Sequence, residues 1–195
     1  MRGVVLGLGS WGTAIAIHLA GGGHEVSAWT LEERDRAAIR ADRENRRFLP
    51  GAAVPAEVRV VDDPASALRD AEAVVLAVPS FAVREVARRL AAHRLPGPVI
   101  NVAKGLERDT RKRMLEVLAE ELGPDAPAVS LVGPSHAEEV AQRHPTVVVA
   151  ASRDRVAAEL TQRLFSDERF RVYTNDDVVG VELAVALKNV IALAA

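Results

Sequence analysis

The sequence predicts an α/β fold built on a doubly wound, mostly parallel sheet, and three observations carry that reading. Short runs rich in β-branched residues alternate with longer stretches of helical spacing over residues 1–150. Most of these runs are apolar at nearly every position, which is the pattern of strands covered on both faces. The first run leads into a glycine-rich turn and then a helical stretch.

The strands read in order as GVVLGL (3–8), EVSAWT (25–30), VRVV (58–61), AVVLAV (73–78), PVINVA (98–103), AVSLV (128–132) and TVVVAA (146–151). Helical spacing fills intervals such as TAIAIHLAGGGH (13–24), FAVREVARRLAAH (81–93) and TRKRMLEVLAEEL (110–122). LPGP (95–98) and GPDAP (123–127) stop helices ahead of the next strand, since proline and glycine cannot sustain them. Composition changes at NDD (175–177), where Asn175 can cap a new helix running to Ala195. That last stretch, LAVALKNVIALAA (183–195), is polar only at Lys188 and Asn189. A helix apolar all round must be covered on all sides, so its outer face requires a further partner.

A chain of 195 residues can bury one core, or one large domain plus the start of another. The 49% hydrophobic and 27% charged composition with net charge -2 describes a soluble globular protein. It predicts no nucleic-acid partner and no membrane insertion. The C-terminal apolar run, broken by Lys188 and Asn189, is too short for a spanning helix. The absence of cysteine excludes disulfides, thiolate catalysis and a cysteine-based zinc site, and no metal site is predicted. A cytoplasmic location fits best.

The turn GLGSWG (7–12), standing between strand and helix, is the fingerprint of a dinucleotide-binding Rossmann-type unit. Gly7 allows the tight turn, Gly9 lets a pyrophosphate approach the backbone, and Gly12 lets helix and strand pack closely. The free N–H groups of Ser10, Trp11 and Gly12 would face phosphates at the positive end of the helix. The tip of the second strand, WTLEER (29–34), should distinguish NAD from NADP. Glu32 and Glu33 favour ribose hydroxyls, whereas Thr30 tolerates a 2'-phosphate and Arg34 would pair with one. The expected cofactor is NADP or NAD, with a lean toward NADP.

Of the 25 basic residues only three are lysine: Lys104, Lys112 and Lys188. An arginine keeps its proton, whereas a partly buried lysine can lose and regain one, so a proton-transfer site does not accept the exchange. Lys112 lies in RKR on a polar face. Lys104 follows the fifth strand, at the carboxyl edge of the sheet where open α/β folds bind ligands, and its alternative is a solvated loop lysine. In LVGPSHAEEV (131–140) Gly133 and Pro134 make a turn and Ser135 presents a hydroxyl, either toward a ligand or as a helix cap. His136 has acid–base chemistry available, yet at a helix start it is equally a surface residue.

Together GLGSWG, FLPG (48–51), AVPS (77–80), AKGLE (103–107), GPSHAEEV (133–140) and GVELAVALKNVIALAA (180–195) resemble the bacterial NAD(P)-dependent glycerol-3-phosphate dehydrogenase family in order and spacing. The resemblance implies a cofactor domain over residues 1–176 and, over 177–195, the start of an all-helical substrate domain whose remainder lies beyond this chain. It implies reversible hydride transfer between a nicotinamide and C2 of glycerol 3-phosphate or dihydroxyacetone phosphate, feeding glycerophospholipid synthesis. Ser10, Trp11 and Ala137 would then contact the cofactor, Lys104 both cofactor and substrate, and Gly133 and Ser135 the substrate, with Lys188 moving the proton. A homodimer is expected, although the residues themselves leave the oligomeric state open. Two departures stand out: the family often carries His or Arg near position 31, here Leu31, and small glycines before the Lys-Asn pair, here Ala184 and Val185. The rival readings are a reductase of another small keto acid on the same fold and a non-catalytic dinucleotide-sensing domain. The chain alone is expected to bind cofactor and to show negligible dehydrogenase activity.

Overall fold

The computed structural model describes residues 1–95 and 97–194, with Asn189 described by its backbone alone. Pro96 of the LPGP turn and the terminal Ala195 lie outside the described residues. The chain starts with β1 (Arg2–Leu6), α1 (Ser10–Gly21), β2 (Glu25–Trp29) and α2 (Glu33–Asp42), then the short β3 (Glu44–Asn45) and β4 (Leu49–Ala53). It continues through β5 (Val58–Val60), α3 (Pro64–Leu68), β6 (Ala73–Leu76), α4 (Val83–Leu90), β7 (Val99–Asn101), α5 (Met114–Leu122) and β8 (Ala128–Val132). The last elements are α6 (Ala137–Ala141), β9 (Thr146–Ala151), α7 (Arg155–Phe165), β10 (Phe170–Asn175) and α8 (Val178–Ala194).

Eight strands form one sheet in the order β10-β9-β8-β7-β6-β1-β2-β5, while β3 and β4 pair separately as a hairpin. The strands from β8 to β5 are mutually parallel; β9 runs antiparallel to β8, and β10 parallel to β9. This is the doubly wound, mostly parallel sheet expected of a Rossmann-type fold. Strand alternation divides the core in two. Val5, Val75 and Ile100 face one apolar cluster with α1, α6 and α7, whereas Val4, Leu6, Val74, Leu76 and Val99 face another with α3, α4 and α5. Both faces being covered explains the uninterrupted apolar runs, each fully buried Leu or Ile contributing about 1.5–3 kcal/mol.

Several boundaries differ from the sequence expectation for identifiable reasons. The 81–93 helix is a 3₁₀ turn at Ser80–Ala82 followed by α4, because Pro79 opens it with an extended backbone. The 110–122 helix begins only at Met114, since Leu106 and Arg113 pair across a loop and Glu116 closes a capping box on Arg113. β10 is a strand beyond the seven expected: FRVYTN lies at the edge of the sheet with only Phe170 and Val172 buried, and so lacks the uninterrupted apolar run of the inner strands. The final helix is capped by Asp177, whose Oδ1 accepts from Gly180 N at 2.8 Å. Asn175 instead ends β10 and accepts from Asp177 N.

No described helix is long and apolar enough to cross a membrane. The first turns of α8 pack on β8 and β9. Its later residues Leu187, Val190, Ile191 and Leu193 are at least half exposed, so the helix emerges from the domain uncovered.

Candidate functional site

A cleft of about 880 Å³ opens where β1, β2, β6, β7 and β8 end, at the point where the strand order turns from β1 toward β2 on one side and β6 on the other. Carboxyl strand ends at such a switch point are where doubly wound sheets bind ligands.

The glycine loop forms its floor, and each glycine has a separate reason. Gly7 has φ +105°, and a Cβ there would lie 2.5 Å from the Ala77 carbonyl oxygen. A Cβ on Gly12 would lie 1.8 Å from the Gly7 carbonyl oxygen, so glycine is the condition for α1 to start against β1. A Cβ on Gly9 would meet nothing within 4 Å, which means this position lacks a side chain without any intramolecular need. The first turn of α1 carries no acidic residue and no side-chain cap, leaving the positive helix end open at the cleft. These features fit a pyrophosphate. Asn45 supports the loop from the side: buried, it donates to the Leu8 carbonyl and to Thr13 Oγ1, each at 2.8 Å. Nothing in the local sequence marked Asn45, because its partners lie over 30 residues earlier.

At the other end, Lys104 lines the cleft and donates from Nζ to the Ser135 carbonyl at 3.1 Å. Its ammonium stands 5.8 Å from the centre of the Trp11 ring. Burial first, and then the charge of Lys188, hold its pKa below the usual lysine value. The indole N–H of Trp11 is buried without a hydrogen-bond partner among the described residues. The loop after Lys104 is clamped: Gly105 takes φ +108°, and Arg84 grips Glu107 with Nε at 2.7 Å and Nη2 at 2.8 Å. The guanidinium holds the Glu107 carboxyl down to about 2.

Ser10, Trp11, Ser135, His136 and Ala137 also line the cleft. Ser135 is buried and does not cap α6; its hydroxyl donates weakly to the Gly133 carbonyl at 3.4 Å. Gly133 is not among the lining residues, and a Cβ there would press on the β9 backbone, 2.8 Å from the Val147 carbonyl oxygen. Lys188 is half-buried on α8 and outside the lining, within electrostatic reach of Lys104. Arg34 is also outside it: on the first turn of α2, its side chain is 70% exposed and turns to Asp35 at 3.7 Å. Thr30 and Glu32 do line the cleft, joined there by Arg47 and Phe48 from the β3–β4 turn. The sequence offered no signal for that turn's position, which depends on the hairpin folding back over the loop.

Glu182 is a further residue that the sequence did not single out. Only 3% exposed, it accepts from Arg113 Nη1 and from Leu115 N, both at 3.2 Å. It joins α8 to the start of α5, six residues before Lys188 on the same helix. Burial raises its pKa above the usual glutamate value, and the two donors only partly offset that.

Residues 4–158 match the family model described as "NAD-dependent glycerol-3-phosphate dehydrogenase N-terminus". Among curated proteins the chain is 49% identical, over 98% of its own length, to a glycerol-3-phosphate dehydrogenase [NAD(P)+] of Desulfitobacterium hafniense, covering 54% of that protein. It is 50% identical, over 97% of its length, to the Moorella thermoacetica protein of the same name, covering 56% of it. A crystal structure of glycerol-3-phosphate dehydrogenase from Coxiella burnetii superposes with a TM-score of 0.89 at 35% identity, over 99% of this chain and 59% of that one. The chain thus spans little more than half the length of these relatives. Its glycine loop, its sheet and its sequence relationships agree, and the chain belongs to the NAD-dependent glycerol-3-phosphate dehydrogenase family, to which it contributes the N-terminal part.

Proposed function

We propose that this chain is the cofactor-binding part, residues 1–176, and the first interdomain helix, 177–195, of an NAD(P)-dependent glycerol-3-phosphate dehydrogenase. The reaction interconverts glycerol 3-phosphate and dihydroxyacetone phosphate and supplies the glycerol phosphate of phospholipids, in a cytoplasmic homodimer. The nicotinamide, when bound, supplies the two-electron carrier. Gly7, Gly9, Ser10, Trp11, Gly12 and Ala137 hold the dinucleotide. Lys104, Gly133 and Ser135 border the substrate. During oxidation the Lys188 amine accepts the proton of the C2 hydroxyl, and during reduction its ammonium returns one to the C2 oxygen.

The observation that supports this reading is the pairing of two of the three lysines of an arginine-rich chain: the charge of Lys188 reaches Lys104, and Lys104 lines the cleft. Two nearby cations attract a phosphate ester, and one that can shed its proton serves a carbonyl–alcohol interconversion.

The test uses a polypeptide with the relatives' full length, assayed for NADPH-dependent reduction of dihydroxyacetone phosphate. Lys188→Arg keeps the fold and cofactor affinity but loses most turnover, because a guanidinium stays protonated. Lys104→Met lowers kcat/KM more than tenfold, about 1.4 kcal/mol or more. Near-normal kcat in Lys188→Arg from neutral to alkaline pH removes Lys188 from proton transfer.

A further inference from the structure

Cofactor choice in a Rossmann-type fold is made beyond the end of the second strand, where the adenosine ribose lies. The cationic residues nearest that point in the sequence are Arg34 and Arg36, and neither lines the cleft. Arg34 lies outside the cleft lining and is directed at Asp35. Arg36 donates to the Thr30 carbonyl at 2.6 Å, to the Leu31 carbonyl at 2.8 Å and to Asp62 at 3.3 Å, so its guanidinium is spent holding the β2–α2 connection.

Arg47 comes to the same end of the cleft from a different element, lining it beside Leu31, Glu32, Asp35 and Phe48. Its guanidinium carbon stands 4.7 Å from the centre of the Phe48 ring, over the ring face. Nη1 alone contacts Asp35, at 3.0 and 3.3 Å to the two carboxylate oxygens. Nε and Nη2 have no hydrogen-bond partner among the described residues. The turn is itself anchored, since Asn45 Oδ1 accepts from Phe48 N at 3.3 Å while the same side chain's amide grips the glycine loop. A planar group with donors to spare, held by an aromatic ring and one carboxylate, is suited to bidentate binding of a phosphate.

We infer that Arg47 is the residue that recognises the 2'-phosphate of NADP, and that Asp35, paired with it, sets how strongly NADP is preferred over NAD. Without a 2'-phosphate, Asp35 and Glu32 face the ribose hydroxyls as acceptors. With one, Arg47 supplies two donors while the Asp35 carboxylate opposes the incoming charge. The preference is therefore the balance of Arg47 and a counter-ion that Arg34 also approaches. The inference rests on the dinucleotide reading of the cleft and adds to it the identity of the discriminating side chain.

The experiment is titration calorimetry of the 195-residue chain with NADPH and with NADH. Arg47→Ala is expected to weaken NADPH binding at least tenfold and to change NADH binding less than twofold. Arg47→Lys, which keeps the charge but not the fork, should recover part of the NADPH loss. Asp35→Asn should shift the NADPH-to-NADH affinity ratio toward NADPH by at least threefold, and Arg34→Ala should leave it within twofold. Equal losses for both cofactors in Arg47→Ala, or a selective NADPH loss in Arg34→Ala but not in Arg47→Ala, would overturn the assignment while leaving the dinucleotide site standing. A parent chain that binds neither cofactor would overturn the site and the assignment together.

Discussion

The two ends of the cleft are made of different materials. The glycine-loop end is backbone: a positive φ at Gly7, a contact that only hydrogen permits at Gly12, and an uncapped helix terminus. All of it comes from six consecutive residues. The lysine end is side chain, and its members are carried by separate elements: Lys104 after β7 and Ser135 after β8, with Lys188 on α8 outside the lining but within electrostatic reach of Lys104. Their convergence depends on ties formed elsewhere, Arg84 to Glu107 for the Lys104 loop and Arg113 to Glu182 for α8. A backbone site is robust to most remote substitutions and intolerant of a few local ones. A side-chain site is the reverse.

That contrast is most sharply drawn by two valine substitutions three residues apart. Gly12→Val should cost about 3 kcal/mol or more, because a Cβ 1.8 Å from the Gly7 carbonyl oxygen forces α1 off β1. Gly9→Val should keep stability within about 0.5 kcal/mol, since its Cβ enters open space, yet weaken dinucleotide binding at least tenfold. Urea unfolding and calorimetry measure the two effects. Equal cofactor affinity for Gly9→Val and the parent would break the backbone account of the loop.

Next in size is the tie at the lysine end. Glu182→Ala leaves the Leu115 N–H without its acceptor and Arg113 with Glu116 as its one remaining partner, and should cost about 2 kcal/mol in urea unfolding; Glu182→Gln, retaining one acceptor, should cost about half as much. Cofactor affinity in both variants should stay near that of the parent, because the glycine loop takes no support from α8. A matching loss of affinity would show the two ends to be one structural unit.

The smallest effect is a difference in pH dependence, and its sign separates the two ties. Glu107 is held down to about 2, so its contribution to stability is whole above the ordinary glutamate range and fades as pH falls from there toward 2. Glu182 is raised by burial, so the folded state binds its proton more tightly. Its contribution is therefore fully present below the ordinary glutamate value and declines as pH rises toward the raised one. The stability gap between parent and Glu107→Gln should narrow on acidification from pH 7 to pH 3, whereas that between parent and Glu182→Gln should widen. Urea midpoints at pH 7, about 4.5 and about 3 read both trends; gaps moving in the same direction would show that the two carboxylates occupy similar environments.

Much of this molecule is decided by neighbours in the chain. The seven strands of the apolar runs, the glycine loop and its order between strand and helix, and the unusual lysines are each local facts. They follow from backbone sterics, from periodicity and from the chemistry of single residue types. The doubly wound sheet follows in turn, because uninterrupted apolar strands joined by helices have few other ways to be covered. The tertiary structure decided what depends on distance in space. It capped α8 with Asp177 in place of Asn175, set Gly133 against β9 and outside the cleft lining, and left Arg34 outside that lining while bringing Arg47 into it. It also paired Glu182 with Arg113, 69 positions earlier. A hydrogen bond or ion pair acts over a few ångströms, so which arginine or acid meets the cleft is settled only once the hairpin and the last helix have docked.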